Sequence, residues 1–111
     1  MAGESATASS RRTRSVMVRY RVKPEHAAHN EHLVRAVYAE LHERRPPGLR
    51  YATFRLEDGV SFVHVAHLDG EDNPLLELPA FRDFQQGIAG RCDDAPATTE
   101  LHEVGSFRFW Q

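Results

Sequence analysis

The residue in this 111-residue chain best suited to acid–base chemistry is His64, which lies in the apolar run Phe62-Val63-His64-Val65. Imidazole titrates near neutrality, so His64 could take a proton from a phenol or an enol and make an electron-rich compound reactive. We therefore name His64 as the candidate catalytic base. The competing interpretation is a hydrogen-bonded histidine with a structural role.

Arginine side chains near this histidine could hold an anionic oxygen, since guanidinium offers fixed, forked donors. We assign that role to Arg19. For Arg21 and Arg55 we favour ion pairs with Glu100 or Glu103 across a dimer, because burying an unpaired arginine is costly. Tyrosine could donate to a substrate carbonyl or pack in an interface. The predicted substrate-binding residues are Met17, Arg19, Tyr51, Thr53, Phe62 and Leu68.

The other histidines do not predict a metal site. His26, His29 and His32 recur every three residues on a predicted helix, and successive rotations of about 300° spread them around it. His64 and His67 are three apart on a predicted strand, which sends them to opposite faces. No Gly-rich phosphate cradle, zinc-ligand spacing or nucleophile elbow is visible in the sequence, so we expect no metal, nicotinamide or flavin cofactor.

The amino-acid composition and net charge of the chain argue against some classes of binding partner. The chain is 41% hydrophobic and 27% charged, with a formal net charge of −2, which gives no field to attract nucleic acid or a membrane surface. The single Cys92 cannot form an internal disulfide and follows a predicted helix, so we expect a passive thiol. Because the start lacks a signal-peptide or membrane-spanning pattern, we expect a cytoplasmic protein.

The chain divides into a tail and one domain. Residues 1–14 are rich in Ser, Ala and Thr, carry three arginines and lack an apolar period, which predicts a disordered tail. Residues 15–111 have the length of one domain. Strict alternation over 15–22 predicts a strand, and Pro24 then opens a helix that Pro-Pro-Gly at 46–48 must end.

A hairpin follows the helix. Segments 49–56 and 60–68 are rich in aromatic and β-branched residues, and the Asp-Gly pair at 58–59 between them is a strong hairpin signal. A two-residue turn at this pair fixes the register and places Thr53 opposite His64.

The remaining elements complete the fold. Pro79 opens a second helix, a break is expected at 93–96, and residues 98–110 predict a last strand with a bulge at Gly105. The order β-α-β-β-α-β predicts a ferredoxin-like α+β fold, an antiparallel sheet with two helices on one face.

The two faces of the sheet receive different predictions. We assign to the helix-covered face Val16, Val18, Tyr20, Val22, Ala52, Phe54, Val63 and Val65. We assign to the other face Met17, Arg19, Arg21, Tyr51, Thr53, Arg55, Phe62, His64 and Leu68. Large apolar groups are poorly left in water, so we expect a second copy of the chain to cover this second face. The sequence thus predicts a homodimer with a small-molecule cavity at its interface.

Several segments resemble the antibiotic biosynthesis monooxygenase-like family of dimeric α+β barrels. They are V-x-Y-x-V-K-P at 18–24, G-L-R-Y-A-T-F-R-L at 48–56 followed by D-G, and F-V-H-V-A-H-L at 62–68. In the family's cofactor-independent aromatic-polyketide oxygenases, an Asn on the third strand and a Trp four residues later line the pocket. By position these become His64 and Leu68. The haem-degrading branch uses a first-strand Asn where this chain has Met17, which disfavours that branch.

The leading hypothesis is a cofactor-independent, monooxygenase-like enzyme acting on a small aromatic or polyketide-like compound, with His64 as base and Arg19 and Tyr51 as orienting groups. The alternatives are a noncatalytic dimeric small-molecule-binding or stress-related protein, and an isomerase or cyclase on the same scaffold. An apolar cavity of about 300 Å³ or more beside His64 would favour an enzyme.

Overall fold

The computed structural model describes residues 13–109, so all but two residues of the predicted tail (1–14) lie outside the described residues. The helices and strands are β1 (Arg14–Val22), α1 (Ala27–Arg44), β2 (Leu49–Arg55), β3 (Ser61–Leu68), α2 (Pro79–Gln85), α3 (Ile88–Arg91) and β4 (Cys92–Leu101). Single turns of 3-10 helix precede α1 and α2, at Pro24–His26 and Pro74–Glu77. The strands form one antiparallel sheet in the order β2-β3-β1-β4, with the helices packed on one face. The predicted ferredoxin-like fold is confirmed.

The helix α1 begins and ends where the sequence predicts. Pro24 starts the 3-10 turn that leads into it, which suits a residue without an amide hydrogen. At its other end Arg45 adopts a left-handed conformation with φ 49°, and its amide donates to the Leu41 carbonyl at 2.7 Å. The buried residues of α1 recur at helical spacing and face the sheet: Ala27, Asn30, Val34 and Val37.

The hairpin between β2 and β3 has the predicted register and a longer turn. Thr53 pairs with His64, as the sequence predicts. The turn itself closes through the Gly59 amide, which donates to the Leu56 carbonyl at 2.9 Å while Gly59 takes φ 79°. The Asp58 carboxylate accepts hydrogen bonds from the Ser61 hydroxyl and from nearby backbone amides, which lower its pKa to about 2.

The assignment of the hairpin to the open face was wrong. Val18 of β1 pairs with His64 and Tyr20 pairs with Phe62, and cross-strand partners share a face. That face lies beneath the helices, where Tyr20 is 2% and Phe62 1% exposed. The helix-covered face therefore carries Tyr51, Thr53, Arg55, Phe62, His64 and Leu68 with the even-numbered residues of β1. The open face carries Met17, Arg19, Arg21, Ala52, Phe54, Val63 and Val65.

The strand β4 begins earlier and ends earlier than predicted. The segment 93–96, predicted as a break, belongs to the strand. The register between β1 and β4 shifts twice around Arg21, and this irregularity at an edge strand accommodates Pro96. The strand ends at Leu101, so the predicted extension to residue 110 and the bulge at Gly105 were wrong within the described residues.

Candidate functional site

A cavity of about 500 Å³ lies between the sheet and the segment that contains α2 and α3. This volume is within the usual range for small-molecule sites, about 300–1,000 Å³. Most of the wall is apolar, formed by Val16, Val18, Ala66, Leu75, Leu76, Phe81, Phe84 and Ile88. Arg14, Gln85 and Glu100 also line it and are exposed, so they mark where it opens to solvent.

His64 lies on the sheet side of this cavity between two tyrosines. Its Nε2 is 2.8 Å from Tyr20 Oη, and its Nδ1 is 2.6 Å from Tyr51 Oη. Thr53 Oγ1 is a weaker third partner, 3.2 Å from Nδ1. Because His64 is only 5% exposed, burial lowers its pKa to about 4 and keeps the ring neutral at physiological pH. Both ring nitrogens already have protein partners, so a bound compound would exchange a proton with the imidazole through a tyrosine hydroxyl.

The surrounding tyrosines are neutral hydrogen-bonding groups. Burial raises the pKa of Tyr20 and Tyr51 well above the ordinary value, and that of Tyr38 to about 12. The Tyr38 hydroxyl is 2.8 Å from Thr53 Oγ1, and its ring stacks on Tyr51 with centroids 5.3 Å apart. The tyrosines therefore keep their protons at physiological pH, which allows a phenol to donate into the cavity.

Two residues that the sequence analysis missed extend this arrangement. Asn30 is fully buried; its Nδ2 donates to Tyr20 Oη at 2.9 Å and its Oδ1 accepts from Arg91 Nε at 3.1 Å. We call Arg91, Asn30, Tyr20, His64 and Tyr51 the polar chain. The signal for Asn30 is its place on the apolar stripe of α1, where a polar residue needs a buried partner. No pattern in the sequence indicates Arg91.

The structure brings together three of the predicted site residues. His64 and Tyr51 line the cavity, and Thr53 contacts His64 from the neighbouring strand. Phe62 supports the site from the core, stacked on Tyr20 with centroids 5.5 Å apart. Leu68 is also in the core, at the far end of β3.

Two other predicted site residues lie on the opposite face. Met17 pairs with Val65 and Arg19 with Val63, all of which point away from the helices. Placing them in one site with His64 was wrong, because the sheet separates them from the cavity.

Arg21 and Arg55 both form ion pairs, but with carboxylates of the same chain other than the predicted Glu100 and Glu103. Arg55 Nη1 lies 2.7 Å from the Glu31 carboxylate on α1, and Arg21 Nη2 lies 3.1 Å from that of Asp94 on β4. Because the partners are within the chain, these arginines do not require the pairing across a dimer that the sequence suggested.

Residues 13–109 hold no group of three or more His, Cys, Asp or Glu side chains that could bind a metal ion. The Cys92 thiol is free, and burial raises its pKa. In the same range, no helix combines the length and apolar character needed to cross a membrane.

Several solved structures have a similar fold. The cofactor-independent oxygenase SnoaB from Streptomyces nogalater is 18% identical, with a TM-score of 0.64 over 86% of this chain and 97% of that one. A candidate antibiotic biosynthesis monooxygenase from Nitrosomonas europaea is 14% identical, with a TM-score of 0.69 over 83% and 90%. Another from Caulobacter crescentus is 20% identical, with a TM-score of 0.65 over 84% and 91%.

These likenesses show that the chain has the fold of the antibiotic biosynthesis monooxygenase structures. No family model matches the sequence, and no curated protein matches it. At such low identity the likeness concerns the fold, and the chemistry has to be argued from the site itself.

Proposed function

We propose that this protein is a monooxygenase-like enzyme that binds a small, planar aromatic or polyketide-like compound in the cavity and oxygenates it without a cofactor. The observation that carries the proposal is the neutral His64, held between two tyrosine hydroxyls, in an otherwise largely apolar cavity of about 500 Å³. The fold shared with a cofactor-independent oxygenase supports it. In the proposed reaction a ring methylene and O₂ give a ketone and water.

The proposed chemistry depends on stabilising an enolate, because an electron-rich enolate can react with O₂ directly. Tyr51 lines the cavity and places a phenol hydroxyl where it can hydrogen-bond to the substrate oxygen that becomes negative. The aromatic walls Phe81 and Phe84 exclude water and strengthen that hydrogen bond. Tyr51 is therefore the catalytic residue of this proposal.

In this proposal His64 is not the catalytic base that the sequence predicts. An imidazolium with a pKa of about 4 is a much stronger acid than a phenol, so full transfer of a phenol proton to His64 is strongly unfavourable. His64 therefore acts as the positioning residue for Tyr51. The carboxylate of Glu100, which lines the cavity from β4, is the proposed acceptor of the carbon-bound proton.

Oxygen consumption with anthrone tests this proposal. We expect the protein to consume O₂ faster than the uncatalysed oxidation, and Tyr51→Phe to lower the rate about 100-fold, the usual effect of losing a donor to a developing oxyanion. Tyr38→Phe is the matched control, because it also removes a tyrosine hydroxyl and Tyr38 does not line this cavity. Consumption equal to that of heat-denatured protein would contradict the proposal.

A binding protein without chemistry is the second candidate. The observation that favours it is that both ring nitrogens of His64 already have protein partners, as in a structural histidine. This candidate predicts that aromatic compounds bind without any consumption of O₂. An isomerase or cyclase would instead convert its substrate while O₂ stays constant.

We also propose that the chain functions as a homodimer through the open face of the sheet. Val63 and Val65 are only half-buried on this face, and Phe54 remains 49% exposed. The segment after β4 exposes Val104 and Phe107 as well. Large apolar side chains are unfavourable in water, and a second copy of the chain packed on this face would cover them.

Light scattering tests the dimer. We expect a mass near twice that of one chain at micromolar concentration, and Phe54→Asp to give a folded monomer. Ala36→Asp on the exposed side of α1 is the control and should leave the mass unchanged. A wild-type protein that stays monomeric would refute this assembly.

A further inference from the structure

We infer that the polar chain has a fixed direction: Arg91 and Asn30 act through Tyr20 to decide which ring nitrogen of His64 carries the proton. This leaves the Tyr51 hydroxyl able to donate a hydrogen bond to an acceptor in the cavity. The ligand it accepts is then an aromatic compound with an acceptor oxygen, such as a ketone or an enolate. The ligand assignment rests on the proposed function of the cavity; the direction of the chain does not.

The direction starts at Arg91, because a guanidinium can only donate. Its Nη2 donates to the Phe84 carbonyl at 2.6 Å and its Nη1 to the Gln86 carbonyl at 3.2 Å. These bonds tie the side chain to the end of α2. Its Nε then donates to Asn30 at 3.1 Å, which requires the amide oxygen of Asn30 to face Arg91.

The orientation of Asn30 fixes the next hydrogen. With its oxygen toward Arg91, Asn30 presents its NH₂ group to Tyr20 Oη at 2.9 Å. The buried Tyr20 hydroxyl, which accepts this bond, has one other partner among the described residues, His64 Nε2 at 2.8 Å. Tyr20 therefore donates to Nε2, which must be the unprotonated nitrogen of the neutral ring.

The proton of His64 is then on Nδ1 and points to Tyr51 Oη at 2.6 Å. Tyr51 accepts this bond, so its own hydrogen can go either to Thr53, which also hydrogen-bonds to Tyr51, or to an acceptor in the cavity that the side chain lines. Thr53 Oγ1, the weaker acceptor of Nδ1, is already shared with the Tyr38 hydroxyl at 2.8 Å. The opposite tautomer would leave the Tyr20 hydrogen buried without an acceptor, which proteins rarely tolerate.

The tautomer can be measured directly. We would record ¹⁵N spectra of the full chain with labelled histidine at pH 7, with the His64 signals assigned by their absence in His64→Gln. The expected result is the Nδ1–H tautomer. Tyr38→Phe, which alters a hydroxyl outside the polar chain, should leave it unchanged. An Nε2–H tautomer in the wild-type protein would overturn the inference.

Asn30→Asp tests whether Asn30 sets the direction. The Asp carboxylate accepts from both Arg91 and Tyr20, so the Tyr20 hydrogen turns away from His64 and Nε2 must carry the proton instead. We expect His64 to switch to the Nε2–H tautomer in this variant. A folded variant that keeps Nδ1–H would also overturn the inference, and the wild-type measurement decides the matter if the variant does not fold.

Two matched probes test the ligand chemistry by calorimetry: 9-fluorenone, which has one acceptor oxygen, and fluorene, the same ring system without it. We expect fluorenone to bind about tenfold more tightly to the wild-type protein, and Tyr51→Phe and Asn30→Asp to abolish this preference. Equal affinity, or no binding of either, would overturn the ligand assignment. Neither assay depends on O₂ consumption, so a protein that shows this pattern and never oxidises anthrone refutes only the proposed oxygenation.

Discussion

The two faces of the sheet differ in a way that their composition does not suggest. The helix-covered face holds His64 with the hydroxyl groups of Tyr20, Tyr51 and Thr53, whereas the open face holds Val63, Val65 and Phe54. His64 and its partner Tyr20 are buried, whereas the apolar side chains Val63, Val65 and Phe54 remain partly exposed. The lesson is that hydrogen-bond partners decide burial: a polar group can lie in a core when its neighbours supply every bond it needs.

The helix-covered face meets this condition. Among residues 13–109, no buried side-chain nitrogen or oxygen lacks a hydrogen-bond partner. Each member of the polar chain bonds to the next, and Arg91 ends it on two backbone carbonyls. On the open face the arginines are solvated instead, and Arg21 pairs with Asp94 at the surface.

The largest expected contrast comes from truncating one phenylalanine on each face. Phe62→Ala removes a side chain that is 1% exposed and should cost about 3–5 kcal/mol of unfolding free energy. Phe54→Ala should cost less than about 1 kcal/mol in dilute protein, since Phe54 is 49% exposed. Urea denaturation measures both. Equal losses would mean that the faces are assigned wrongly.

The next effect is the pH dependence of stability. The folded-state pKa of His64 is about 4, below the value of about 6.5 for an unfolded chain, so the unfolded chain binds the proton first as pH falls. Keeping His64 neutral therefore contributes about 3 kcal/mol to the unfolding free energy. This contribution is complete above about pH 6.5 and is lost by about pH 4.

Chemical denaturation at a series of pH values, compared with His64→Gln, isolates this contribution. The variant cannot titrate at this position, so its stability should fall less between pH 7 and pH 4. Parallel curves for the two proteins would show that burial does not disfavour the charged ring.

The smallest effect belongs to the surface ion pair beside the open face. Arg21→Ala should change the unfolding free energy by less than about 1 kcal/mol, because both partners are largely solvated. The difference from wild type should shrink further in about 1 M salt. A loss comparable to that of Phe62→Ala would contradict a solvated open face.

Local signals in the sequence were sufficient for the fold and for the hairpin. The Asp-Gly pair set the pairing of Thr53 with His64, although the turn is longer than two residues. The pairing of β1 with β3 was beyond such reasoning, because α1 and β2 intervene and no tight turn fixes that register. Since β3 is apolar on both faces, its pattern could not show which face the helices cover.

The candidate site was predictable in part. His64 and Tyr51 were identified by their chemistry, and both line the cavity. Arg19 was grouped with them only because the hairpin residues were assigned to the open face, where Arg19 lies. Asn30 and Arg91 escaped notice because their role exists only once α1, α3 and the sheet are packed together. An asparagine on the apolar stripe of a helix was the one available signal.

A crystal structure of the protein soaked with 9-fluorenone tests the central claim most directly. The account predicts the compound between the sheet and α2, with its rings against Phe84 and its ketone oxygen about 3 Å from Tyr51 Oη. Density for the compound on the open face beside Arg19 and Phe54, with the cavity next to His64 empty, would contradict it.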